Sequence, residues 1–422
     1  MKAGAQFISS ARRCLGANGL PQLPSNDPPW ISRIVAFVRK LALGRPTPEA
    51  RDAYTNVTAT LLQVHPSIAT TLIFPVERNQ EKPFTYHFIN LILIDIRSSL
   101  PSLLEHINDS TYPAVSCRLS SAFDVICIFT GYLIRCLEDE TLETLIISPD
   151  GLLKLRKGIS ETISLTLEYL RDRWDASVAG AMGLHKDARL GGTTTSMGSR
   201  HALTWDSAKY SSDGDPLVLS AVRASAVWLR EDENDLLRKE ATGLIDMFLE
   251  LYAPPSNVRL DFRSPILVAF EALLTLDRGR IIFLQNSGWQ ILTGDLMETW
   301  ATSPNSLLIQ NANRGIEIVR VLLSVVEGEQ TGTTEEWLDI LTAVGSGQLP
   351  DREEFYQVLE FRVAILQLSA TILANANGGM RKRYNHTISA ISGIVHGLQQ
   401  LCNHHENLRA DLIDVLDTLD SF

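Results

Sequence analysis

The stretch SPDGLLKLRKGISETISLTLEYLRDRW, residues 148–174, is the clearest helix in the chain. Ser148 has a side-chain oxygen suited to capping, Pro149 suits the first helical position, and Asp150 favours the positive end of the helix dipole. Beyond them Leu152, Leu155, Ile159, Ile163, Leu167, Leu170 and Trp174 recur at spacings of three and four. That is one apolar stripe along a helix.

The same pattern returns on either side. Asn234 can cap a helix with the stripe Leu237, Ala241, Leu244, Phe248 and Leu251, stopped by Pro254 and Pro255. Further stripes run through Leu308–Val326, Phe355–Leu373, Ile388–Cys402 and Leu408–Leu419. Leu217–Leu229 and Ala122–Ile134 are apolar nearly all round and belong inside a layer. About fifteen amphipathic or buried helices joined by short turns predict an all-α fold. No strict period is visible, which points to an armadillo/HEAT-like helical solenoid with degenerate repeats of about 40 residues. The competing reading is an enzyme with an α/β core. In it, Leu91–Ile96, Val125–Phe129 and Leu145–Ile147 are buried strands.

Composition breaks this pattern between Asp175 and Pro216, where Gly180, Gly183, Gly191, Gly192 and Gly198 surround a Thr193–Thr195 run. The expected organisation is therefore an N-terminal segment or linker at 1–28, a helical block at 29–174, a flexible insert at 175–216 and a second helical block at 217–422. Limited proteolysis is expected to cut first within the insert.

The chain has 422 residues, 45% hydrophobic and 21% charged, with a formal net charge of −11. An acidic balance opposes general binding to nucleic acid or anionic lipid. Lys154–Lys157, Arg171–Arg173 and Arg381–Arg383 are local basic clusters, expected on solvated helix faces or ends. Five cysteines without a paired framework suit a reducing compartment, so a cytoplasmic location is expected. Lys2, Arg12 and Arg13 with no acid before Asp27 give mitochondrial import as the lesser alternative. The longest apolar run, Ala122–Ile134, is shorter than the ~20 residues of a bilayer span, so no integral membrane contact is expected.

No nucleophile elbow, phosphate loop, dinucleotide fingerprint or zinc motif is present. Cys402, His404 and His405 lack a partner set at metal-ligand spacing, and Glu231–Glu233 lacks that of a calcium loop. No catalytic, cofactor-binding or metal-binding residue is expected. Trp205, in a Gly/Ser/Thr-rich stretch, either folds back or awaits a partner.

Two segments carry a family resemblance. Ala221–Asp232 (AVRASAVWLRED), followed by Leu237-Arg238-Lys239-Glu240, resembles the neurochondrin family, with its Trp-Leu-x-Glu-acidic turn before Leu-Arg-Lys-Glu. Arg118–Asp124 (RLSSAFD), ahead of a long apolar helix, is similar to a second family segment. The resemblance implies an armadillo-like, non-enzymatic cytosolic scaffold that binds other proteins. Within it, Trp228 is expected to be a buried anchor, while Arg238 and Lys239, on the polar side of the next helix, are candidate partner contacts.

Overall fold

The computed structural model describes residues 29–44, 47–75, 77, 83–138, 147–178, 212–253, 260–302, 309–329, 332–347, 355–402 and 404–421. The N-terminal segment 1–28, most of the expected insert (179–211) and Trp205 lie outside them. Among the described residues every regular element is helical and no strand occurs. The chain is an all-α helical solenoid, and its packing divides it into two units.

The first unit comprises Met1–Glu240 with Pro254–Pro265. Its helices are α1 (Pro29–Leu43), α2 (Pro48–Val64), α3 (Pro66–Ile73), α4 (Phe84–Ser99), α5 (Tyr112–Glu138), α6 (Pro149–Val178), α7 (Pro216–Glu231) and the short α8 that opens at Asp235. Helices α2, α5 and α7 lie parallel in one layer. Asp52 meets Arg118 and Gln63 meets Asp124 across the first pair. Tyr112 meets Asp215, beside the start of α7, and Asp124 meets Arg223 across the second. The second layer holds α4 and α6, parallel to one another, with Arg97 on Glu161. A Cβ on Gly158 would lie 3.4 Å from Leu93 Cδ1, so glycine lets this pair approach closely. The helix read from residues 148–174 runs Pro149–Val178, and the Gly151 N–H donates to Ser148 Oγ at 3.3 Å.

The stretches weighed as strands are helical. Leu91–Ile96 lies in α4 and Val125–Phe129 in α5, while Leu145 and Ile146 fall outside the described residues. Ile92, Leu93 and Ile96 are fully buried at helical spacing, so burial rather than β-propensity explains their composition. This removes the α/β core. Two described helices, Tyr112–Glu138 and Tyr356–Asn375, are long and apolar enough to cross a bilayer, which the Ala122–Ile134 run alone understates. More than half of each such window is buried inside the fold.

The second unit comprises Ala241–Ala253 and Ile266–Phe422. Its helices are α9 (Ile245–Tyr252), most of α10 (Arg263–Leu273), α11 (Asp277–Gln285), α12 (Gly288–Ala301), α13 (Ile309–Gly328), α14 (Asp339–Gly345), α15 (Tyr356–Asn375), α16 (Gly378–Arg383), α17 (Asn385–Leu401) and α18 (Glu406–Asp420). Its core centres on α13 against α15, where a Cβ on Gly315 would come within 2.3 Å of the Phe361 ring. Trp289 stacks on Trp337 with ring centroids 4.4 Å apart. Tyr252 and Arg314 both donate to the Asp295 carboxylate, at 2.6 and 3.2 Å. The single helix expected across 235–251 is broken by a 3-10 turn at Thr242–Leu244, which includes Gly243, a poor helix former.

Candidate functional site

The two segments singled out in the sequence meet in space. α5 and α7 form the most extensive helix pair of the first unit, and polar contacts run along their seam. Ser120 Oγ and Ser220 Oγ are 2.8 Å apart, and Ser120 also donates to the carbonyl of Pro216. Small side chains let the helices close, and their hydroxyls satisfy one another inside. One end of the seam is pinned by Asp215. It accepts from Tyr112 Oη at 2.5 Å and Ser116 Oγ at 3.3 Å, and caps α7 through the Leu217 N–H at 3.0 Å.

Arg173 lies 3.8 Å from the same carboxylate and is fully buried, so the solvated helix end expected for Arg171–Arg173 does not hold at this position. The Asp215 charge gives the guanidinium a reason to be inside. Burial raises the pKa of the Tyr112 phenol, with Tyr169 and Asp215 adding to it. Burial also raises that of Tyr169, helped by Asp215. Both phenols stay protonated donors.

Midway along the seam, Asp124 is 3% exposed and bridges three helices. Gln63 of α2 donates to Oδ2 at 2.8 Å, and Arg223 of α7 donates to Oδ1 at 3.2 Å. The Arg223 side chain remains 42% exposed. Cys127, one turn on, has its thiol pKa pushed up to about 11, mainly by burial, so it is not a thiolate at neutral pH.

The other end turns the corner from α7 into α8. Trp228 is 7% exposed and donates from Nε1 to Ser160 Oγ at 3.3 Å, in keeping with an anchor. Asp232, expected in an acidic loop explained by the helix dipole, is instead buried. It accepts from Arg156 Nε at 2.8 Å and Ser160 Oγ at 3.1 Å. Asn234 Oδ1 accepts the N–H groups of Leu236 and Leu237, capping α8 as expected.

Arg238 was a candidate partner contact by virtue of the polar helix side. Its guanidinium turns back on the preceding helix, with Nε donating to the Leu229 carbonyl at 3.0 Å and Nη2 to that of Arg230 at 3.2 Å. These are end-of-helix carbonyls with no partner inside α7. Lys239 is exposed.

The same arrangement recurs twice in the second unit. Arg381 reaches the carbonyls of Leu373, Ala374 and Ala376 behind the Asn377 cap, and Arg280 reaches that of Leu274 at 2.9 Å. The sequence signal for two of the three is Asn-x-x-x-Arg-Lys, present at 234–239 and 377–382.

No group of three or more His, Cys, Asp or Glu at metal-binding distance occurs among the described residues. The titratable side chains of the seam and corner instead hold one another.

Comparison with known proteins accords with this placement. An uncharacterized protein of Schizosaccharomyces pombe is 23% identical over 205 residues, covering 48% of this chain and 31% of the relative. The chain therefore matches about a third of that relative's length. No solved structure matches. The family model for neurochondrin matches residues 5–344, which takes in both segments of the seam and all helices from α1 to α13. The chain belongs to the neurochondrin family.

Proposed function

We propose that this protein is a non-enzymatic scaffold that binds other proteins in the cytoplasm through the polar face of its α2, α5 and α7 layer. The observation that carries the reading is the Gln63–Asp124–Arg223 ladder. A buried carboxylate holds an exposed amide and a half-exposed guanidinium in fixed positions on adjacent parallel helices. Side chains ordered in advance lose less freedom when a partner docks. Arginine at the centre of such a face is a frequent anchor. Arg230, with 45% of its side chain exposed, extends this face along α7, and Lys239 offers a further exposed charge beyond the corner. Stacked helices offer a continuous surface of this kind without any loop-built pocket. Family membership supports the same class of role.

The test is affinity purification of the full chain from its source cells followed by mass spectrometry, comparing wild type with the Arg223→Gln/Arg230→Gln variant. Specific proteins recovered by wild type and lost by a folded variant support the proposal. An unchanged partner set refutes the assigned face. No specific protein, together with turnover of a metabolite, refutes the scaffold.

A further inference from the structure

Helix α1 carries two apolar stripes. Ile31, Val35, Val38 and Ala42 are buried. Trp30, Ile34, Phe37 and Leu41 repeat at spacings of four, three and four, about 100° around the same helix. Trp30 is 43% and Phe37 40% exposed, and Val64 adds to the patch where Trp30 meets His65 edge-on. The described neighbours of α1 are chiefly α2, α3 and α4, and they cover the first stripe. A contiguous Trp–Phe patch of this kind on a protein surface marks a contact.

We propose that residues 5–15 of this chain, AQFISSARRCL, form a helix that covers this second stripe antiparallel to α1. Phe7, Ile8, Ala11, Cys14 and Leu15 fall on one side of such a helix, with Ser9 and Arg13 opposite. The connection of residues 16–28 spans up to ~43–47 Å when extended, twice the ~22 Å length of α1, so the chain can fold back along it. Gly16, Gly19, Pro21 and Pro24 in that connection suit a turn rather than a continuous helix. The family match takes in residues 5–28 together with α1, which places segment and face in one matched module. Leu15 then lies towards Trp30, and Phe7 with Ile8 towards Phe37 and Leu41.

Hydrogen exchange by mass spectrometry on the full chain tests this. Amides of residues 7–15 should exchange about tenfold or more slower than an unstructured peptide. In the Phe7→Asp/Leu15→Asp variant that protection should vanish and the α1 amides should speed up about tenfold, with the main melting transition retained. Three results would overturn the proposal. One is free exchange of residues 7–15 in wild type. Another is protection of that segment with no response of α1 in the variant. The third is N-terminal sequencing of the cellular protein that finds the segment removed, as a targeting peptide would be. A dimer in light scattering that Phe37→Asp converts to monomer, with residues 7–15 exchanging freely, would give the face to a second copy and also overturn it.

Discussion

Arg238 Nε donates to the carbonyl oxygen of Leu229 at 3.0 Å, so a side chain from α8 closes the end of the helix before it. Combined with Asn234 capping α8 itself, this makes the Trp228–Glu240 segment a corner bracket rather than a recognition motif. Ser164 donating to Glu240 adds a further tie between α6 and the same corner.

Arg238→Ala should therefore lower stability. It strips two helix-end carbonyls of a charged donor, a loss of about 1–3 kcal/mol. Arg238→Lys should recover only part, since an ammonium lacks the planar fork that reaches both carbonyls. Lys239→Ala should stay within about 0.5 kcal/mol of wild type. Urea titration of the three variants checks this, and equal midpoints for Arg238→Ala and wild type would contradict it.

Trp228→Ala should cost about 3–5 kcal/mol through lost contacts and an unfilled cavity. Trp228→Phe should cost less, since it keeps most of the ring volume and forfeits only the donation to Ser160. Differential scanning calorimetry distinguishes the two. A Trp228→Ala protein melting with wild type would place the indole outside the core.

How much of this was legible in the sequence differs between helix and seam. The Leu152–Trp174 stripe places α6 because each helix records its own period. Asp124, Arg173 and Asp215 lie on three different elements, and no local pattern announces that they are internal. In Arg171-Asp172-Arg173 the middle of the chain looks solvated, yet Arg173 is buried because Asp215, some forty residues away in sequence, sits against it. The Arg238 cap could have been read from the Asn-x-x-x-Arg-Lys recurrence, but a polar helix face suggests solvent first.

Stability should fall at alkaline pH. Burial, reinforced by Asp95, raises the Tyr54 phenol pKa from 10.0 to about 12. The folded state holds this proton more tightly than the unfolded chain. Its contribution is complete below pH 10 and is lost as pH rises from 10 towards 12. Tyr112 and Tyr169 act in the same direction. Melting temperature against pH should drop more gently in Tyr54→Phe than in wild type above pH 10. Parallel slopes would mean that Tyr54 ionises freely.

Gly315→Ala should destabilise the second unit by about 1–3 kcal/mol, because the new methyl group runs into the Phe361 ring. Phe361→Leu in the same chain should restore part of the loss. Additive losses in the double variant would mean the two residues do not share that contact.

The central claim divides the polar residues of this family segment into those that hold the fold and those that face partners. It is tested most directly by measuring melting and partner capture together for Arg238→Ala and Arg223→Gln/Arg230→Gln. The account predicts that Arg238→Ala melts early and, where folded, still captures the wild-type partners. The double variant should melt near wild type, since partly exposed ion pairs contribute about 0–1 kcal/mol each, and should lose those partners. Full stability with lost capture in Arg238→Ala, and retained capture in the double variant, would contradict it.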